Sequence, residues 1–278
     1  MYGGKEEMNP IQTWKSFQDR SLYYQAVQKD GEESCWQEIA QDYNRIAYPD
    51  RQQEALLARL LPRLEGVSTA IEIGAGPGTL TLSLAERLRK ITAVEPSPAM
   101  SEVLTDNLAQ HGLENVTLLR QRWEELDADA LPPADAVLAG GCLYVFYAID
   151  KVLRKMLATA RTKVLLTHIG PEGLPKIEQR LIERLSLVKP NLFPPLSLLL
   201  EVLVHLCIPT EITLCYSTVS RRQTAEQWLQ RWQRLFHLTS QQRLLLLGFL
   251  EQECRKEGEF YCTEEIVPAA IIELRKIP

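Results

Sequence analysis

Apolar and polar positions follow several rhythms along the chain. Residues 1–30 show little pattern and are expected to hold little regular structure. In residues 35–48, Trp36, Ile39, Ala40 and Tyr43 recur at i, i+3, i+4 and i+7, which is one face of a helix. Residues 51–64 continue as a second helix carrying Leu56, Leu57, Leu60 and Leu61. Short apolar runs then begin, at 68–73, 91–95, 116–120, 134–139 and 163–168. Helical stretches at 79–89, 98–111 and 148–160 alternate with them. The first, second and fourth runs are apolar almost throughout, as strands covered on both faces are. Such alternation predicts right-handed β-α-β units and a parallel sheet. Ser97 is placed to cap the helix at 98–111, and Pro98 suits its first turn.

The pattern is less regular after residue 168. A helix over 174–188 is broken by Lys189-Pro190 and Pro194-Pro195, and a very apolar helix over 196–206 follows. Residues 211–219 read as a strand. The stretch 224–236 carries Trp228, Leu229, Trp232, Leu235 and Phe236 on one face, a stripe that reads as core. Thr224 with Gln227, and Thr239 with Gln242, have capping-box spacing at the starts of two helices. Residues 266–274 read as a closing strand.

Composition narrows the class. The chain has 278 residues, 45% hydrophobic and 24% charged, the balance of a globular protein of one large or two small domains. Lys and Arg total 31 against 36 for Asp and Glu, a net charge of −5, which does not favour a duplex nucleic acid partner. The six cysteines form no C-x-x-C pair and share no ligand spacing with the four histidines, so no metal site is expected. Residues 1–50 hold no apolar signal-type stretch, and a reducing cytoplasm is the expected compartment. The apolar run at 192–209 contains Pro194, Pro195, Glu201 and His205, and it falls short of the roughly 20 apolar residues a membrane span needs.

The informative stretch is Ile71-Glu72-Ile73-Gly74-Ala75-Gly76-Pro77-Gly78-Thr79-Leu80, where the first strand turns into a helix. Glycines there let backbone approach a ligand closely. Ligands bind such sheets outside the carboxyl ends of the strands. The spacing is G-x-G-x-G, not the G-x-G-x-x-G of dinucleotide sites. Glu72 beside the turn would repel a pyrophosphate and suits a cationic ligand. Glu95, ending the second strand, is placed to accept both hydroxyls of a ribose.

Residues 68–170 resemble a class I S-adenosylmethionine-dependent methyltransferase of the small-molecule type. The resemblance is carried by Glu72-x-Gly74-x-Gly76-x-Gly78, by Val94-Glu95-Pro96-Ser97, and by the strand at 134–139 leading into Gly140-Gly141-Cys142-Leu143-Tyr144. It implies an α/β fold: a Rossmann-like, doubly wound, mainly parallel seven-stranded sheet, with N-terminal helices and a helical lid insertion. Residues 1–64 would be an N-terminal helical segment and 65–170 the cofactor-binding core. Residues 171–209 would be the lid or substrate insertion, and 210–278 would complete the sheet with two inserted helices. The glycine loop, including Ala75, would hold the methionine end of S-adenosylmethionine and Glu95 its ribose. Pro96 and Met100 would lie against the adenine, Gln121, Arg122 and Trp123 would flank its edge, and Gly140 would offer backbone to the amino acid part. Many members carry an acidic residue where Gln121 stands. The helix carrying Trp36 and Tyr43 resembles the segment that closes over the cofactor in small-molecule members.

Methyl transfer from a sulfonium requires alignment and desolvation of the acceptor and, where needed, removal of its proton. His168 is a candidate general base or a satisfied buried histidine, and Tyr144 a second candidate for the chemistry. Tyr43, Cys142 and Tyr147 are candidates for the substrate pocket. Residues 74–84 also resemble rRNA adenine dimethyltransferases. Those enzymes place Asn-(Leu/Ile)-Pro-Tyr after the fourth strand to hold a flipped base, and Gly140–Tyr144 lacks the Asn and Pro. A small, partly hydrophobic acceptor, methylated at O, N or C, is therefore expected. A non-catalytic partner subunit that binds S-adenosylmethionine is the alternative. In that case the apolar 192–206 segment, with Leu199 and Val202, would be an interface, and a homodimer is compatible with either reading.

Overall fold

The computed structural model describes residues 9–37, 40, 51–169 and 174–276. One sheet organises it, in strand order β3-β2-β1-β4-β5-β8-β6, with a short β7 paired to the outer part of β8. The strands are β1 Thr69–Ile73, β2 Lys90–Val94, β3 Val116–Leu119, β4 Ala134–Gly140, β5 Ala160–Ile169, β6 Thr210–Thr224, β7 Arg255–Glu257 and β8 Phe260–Leu274. The first five run parallel. β8 lies antiparallel between β5 and β6. The sheet has eight strands, seven on this continuous path and β7 beside β8.

Helices cover both faces. On one face α1 (Pro10–Asp19), α6 (Ile149–Thr159) and α8 (Leu196–His205) bury Trp14, Leu153 and Leu199 against Ile73, Val137 and Ile272. On the other, α3 (Arg51–Leu60) and α4 (Thr79–Ala85) bury Leu60 and Leu84 against Ala70, Ala136 and Ile271. There, α5 (Pro98–Gln110) packs Leu104 on Ala75 and Ala93. Ser97 caps α5 as its sequence predicts, accepting from the Met100 amide at 3.3 Å.

Two expectations are corrected here. Residues 10–30 are not featureless: they form α1 and α2 (Leu22–Asp30), capped by Asn9 and Ser21. Their apolar face is thin, so periodicity does not reveal them. Their order comes from distant partners, since three successive carbonyls after β4 are held from this segment. The Trp14 indole donates to Phe146 O at 2.8 Å, Gln18 Nε2 to Tyr144 O at 2.7 Å, and the Tyr24 hydroxyl to Val145 O at 2.9 Å. The second correction concerns the apolar run at 192–209. It is no lid, because α8 lies in the main core with Leu199 and Val202 fully buried. Those two side chains are therefore unavailable as an outer interface.

Beyond the sheet, β6 and β8 stay paired without a register shift from Thr210↔Leu274 to Thr224↔Phe260. The expected strand 211–219 stops short because Ser220–Thr224 is polar and is held by backbone pairing to Phe260–Glu264, which the expected strand 266–274 also omits. α7 (Lys176–Leu185), α9 (Ala225–Phe236) and α10 (Ser240–Glu253) pack on this extension around Trp228 and Trp232, a second small core. Both capping boxes, Thr224 with Gln227 and Thr239 with Gln242, form as spaced. Among the described residues, no helix is long and apolar enough to cross a membrane.

Candidate active site

The parallel strands end along one edge, and a cavity of about 300 Å³ opens there. Its floor is the turn after β1. Gly74 and Ala75 donate their amides to Val94 O at 2.8 and 3.2 Å, which ties the turn to β2. Gly74 has φ +64°, and a Cβ on it would sit 2.7 Å from Cys142 Cβ. The turn therefore touches the loop after β4, and only glycine fits. Gly78 has φ +96°, and a Cβ there would meet Leu104 at 2.5 Å. Gly78 does not line the cavity, so its role is close packing of α4 against α5. Gly76 differs: a Cβ there would meet nothing within 4 Å. Its amide donates to Glu95 Oε2 at 2.8 Å, and Ser97 donates to Oε1 at 2.9 Å.

Two buried carboxyls dominate the electrostatics. Burial pushes the Glu72 carboxyl up to about 8, against the hydrogen bond it accepts from the Thr81 hydroxyl at 2.6 Å; the Glu95 charge adds to the rise. Burial also raises Glu95, opposed by the Ser97 and Gly76 amides. Glu72 predicts a pH dependence of stability. Its folded form holds the proton up to about pH 8, while the unfolded chain ionises in the ordinary carboxylate range. Between those limits the native state binds more protons, so stability falls as pH rises through this window and levels off above it. Denaturant titrations from pH 5 to pH 9 are expected to show that fall, and Glu72→Gln to flatten it. A wild-type profile that is flat across this range would contradict the assignment.

The sequence candidates fall into groups. Glu72, Gly74, Ala75, Gly76, Glu95, Pro96, Met100, Arg122, Trp123, Gly140, Cys142 and Tyr144 all line the cavity. Cys142 is buried, its thiol donates to Ile73 O at 3.1 Å, and burial pushes the thiol up, with the Glu95 and Glu72 charges adding; it packs and is no nucleophile. Besides Gly78, three candidates do not line the cavity. Gln121 is exposed, because the chain turns outward as it leaves β3. His168 lies on β5 with Nε2 2.9 Å from Pro194 O, beside the start of α8, so it is no base for this site. Tyr147 stands at the surface against Tyr24 and Lys15. Tyr43 falls outside the described residues.

Other lining residues escaped sequence reasoning. Leu56, Leu57 and Leu60 of α3 form an apolar arm with Leu80 and Ala269. Glu32 pairs with Arg122 and accepts from the Tyr23 hydroxyl at 2.5 Å. Glu33 accepts from the Ala99 amide at 3.1 Å, and Trp36 and Ala40 pack on Met100 and Val103. Residues 32, 33, 36 and 40 are thus fastened to the loop after β3 and to α5. Lys155 reaches across from α6, donating to Trp123 O at 2.5 Å and to Leu126 O, with its ammonium 4.8 Å from the Trp123 ring centroid. The spacing of Leu56, Leu57 and Leu60 was visible as helix; no local signal marked its face as cavity wall. Among the described residues, no cluster could hold a metal ion.

Residues 70–163 match a family model described as a methyltransferase domain. An "Uncharacterized protein" of Haemophilus influenzae is 28% identical over 126 residues, 45% of this chain and 46% of that one. A ribosomal RNA small subunit methyltransferase A of Mycobacterium avium is 28% identical over 175 residues, 55% of each. The chain thus spans about half the length of the curated relatives it matches. Among solved structures, the plantazolicin methyltransferase in complex with SAH superposes with a TM-score of 0.55 at 13% identity, over 96% of this chain and 99% of that one. That likeness concerns the fold.

Proposed function

We propose that this chain, whose residues 70–163 form a methyltransferase domain, binds S-adenosylmethionine and transfers its methyl group to a small, partly hydrophobic acceptor. The observation that carries the reading is the meeting of the glycine turn, Glu95 and an apolar slot in one cavity at the strand ends. The cavity fits the cofactor in each part. Open space at Gly76 leaves room beside the turn, and the Glu95 oxygens are placed to accept ribose hydroxyls. Pro96, Met100 and Trp123 offer apolar wall to an adenine. Glu72 stands behind the turn, where a ligand ammonium would favour its ionised form and release its proton. When bound, the cofactor supplies a methyl group made electrophilic by a sulfonium. The chain's own residues orient the reactants and exclude water. Neither Cys142 nor His168 is placed to act as nucleophile or base.

The acceptor is read as small because the cavity is confined and its free arm, Leu56, Leu57, Leu60 and Ala269, is apolar. The segment Gly140–Tyr144 offers none of the Asn-Pro pattern that holds a flipped base, which favours this reading over RNA. Calorimetric titration with S-adenosylmethionine and S-adenosylhomocysteine tests the proposal. One-to-one binding is expected, lost in Gly76→Phe, whose ring would enter the open space beside the turn. Unchanged binding by that variant would remove the glycine turn from the site.

A further inference from the structure

We propose that this chain forms a two-fold homodimer in which β6 pairs antiparallel with β6 of a second copy, so that one sheet runs through both molecules. The sheet has two edges. β3 is four residues long, and a short edge strand offers little to pair with. β6 is fifteen residues long, stays in register with β8 throughout, and has no strand on its outer side among the described residues. None of its residues lines the cavity. Proline, charge and bulges blunt an edge against pairing, and residues 212–220 carry none of them.

Half of the β6 backbone groups turn outward. The Arg275 amide donates to Pro209 O at 2.9 Å and continues the β6–β8 ladder by one pair. Odd-numbered β6 residues are therefore the ones bonded to β8, and the even-numbered ones from Thr210 to Thr218 turn N–H and C=O to the free edge. Side chains of the even residues share one face of the sheet. On that face α8 packs with Ala270 and Ile272 of β8 and leaves their β6 neighbours bare. Ile212, Leu214 and Tyr216 are 41%, 54% and 62% exposed. Bare apolar side chains and outward backbone groups thus coincide on the same three residues.

The pattern is self-complementary, which makes a second copy the occupant. With the two-fold axis at Leu214, this leucine opposes its own copy, Ile212 opposes Tyr216, and Thr210 opposes Thr218. Pairs of a β-branched residue with an aromatic one, and of two threonines, are favoured cross-strand partners. A shift by one pair in either direction sets Ile212 or Tyr216 against a threonine. Pairing even residues with even residues also keeps each side chain on its own face. All five pairs from Thr210 to Thr218 are of the hydrogen-bonded kind, which gives about ten hydrogen bonds, the number a standard interface carries. The axis uses up the edge of both copies, so assembly stops at two.

Sedimentation velocity of the full chain, over a roughly hundredfold dilution series, is expected to show a dimer that dissociates on dilution. A monomeric wild type, or species larger than a dimer, would overturn the proposal. Leu214→Lys sets like charges opposite each other across the axis, and so does Leu214→Glu. Each variant alone is expected to be monomeric, and an equimolar mixture of the two to form the dimer again. A dimer that persists in both variants, or a mixture that stays monomeric, overturns it. Leu214 is half exposed, so thermal melts of both variants should match wild type. Were either variant unfolded, Ile212→Thr combined with Tyr216→Thr decides instead, since threonine suits a strand. That change is expected to weaken the dimer about tenfold, and an unchanged dissociation constant would refute the pairing.

Discussion

Glu95→Leu is expected to weaken S-adenosylmethionine binding by about a hundredfold or more. The carboxylate is buried at the end of β2 and accepts the Gly76 and Ser97 amides at 2.8 and 2.9 Å. Hydrogen bonds to a charged group contribute roughly 1.5–3 kcal/mol each, and two lost contacts therefore exceed two decades in affinity. Leucine also leaves both amides without an acceptor, so the turn loses its shape as well as its ribose partner. Glu95→Gln keeps one acceptor oxygen and is expected to lose less. Calorimetry on both variants checks the order. Equal affinity of wild type and Glu95→Leu would show that Glu95 faces no ligand.

Gly74→Val is expected to destabilise the fold and abolish cofactor binding together. Two costs add. A side chain at φ +64° is strained, by roughly 1–2 kcal/mol. The new Cβ would also lie 2.7 Å from Cys142 Cβ, and overpacking costs roughly 1–3 kcal/mol. The sum, about 2–5 kcal/mol, corresponds to a fall of roughly 5–15 °C in Tm for a chain of this size class. The two parts are separable: Cys142→Gly added to Gly74→Val should return the steric share and leave the backbone share. Thermal melts of the single and double variants measure this. No recovery in the double variant would show that the contact with Cys142 is not where the cost arises.

Much of this was legible in the chain itself. Strands β1, β2 and β4 are apolar almost throughout because both their faces are covered, and that run length needs no tertiary knowledge. The caps at Ser97, Thr224 and Thr239 are local hydrogen bonds between residues three apart, so spacing alone locates them. The glycine turn and Glu95 were legible for a related reason: each stands where a strand meets its loop, and strand ends share one edge in a parallel sheet. Twelve of the candidate residues accordingly line one cavity.

What failed to read depended on partners far along the chain. α1 and α2 owe their place to carbonyls of Tyr144, Val145 and Phe146, more than 120 residues away. Helix α8 has the composition of either a lid or a core helix; its burial was decided by α1 and the sheet, which leave it no path to the cavity. His168 sits at the functional edge by sequence, yet Pro194 O lies within hydrogen-bond distance of its ring.

By itself, then, the sequence determined the parallel sheet, its caps and the turn that faces a ligand, because periodicity, capping and glycine conformation act over a few residues. Only the tertiary structure decided what walls that turn. Leu56, Leu57 and Glu32 enter the cavity through packing between elements remote in sequence, and local pattern carries no record of which face will meet which.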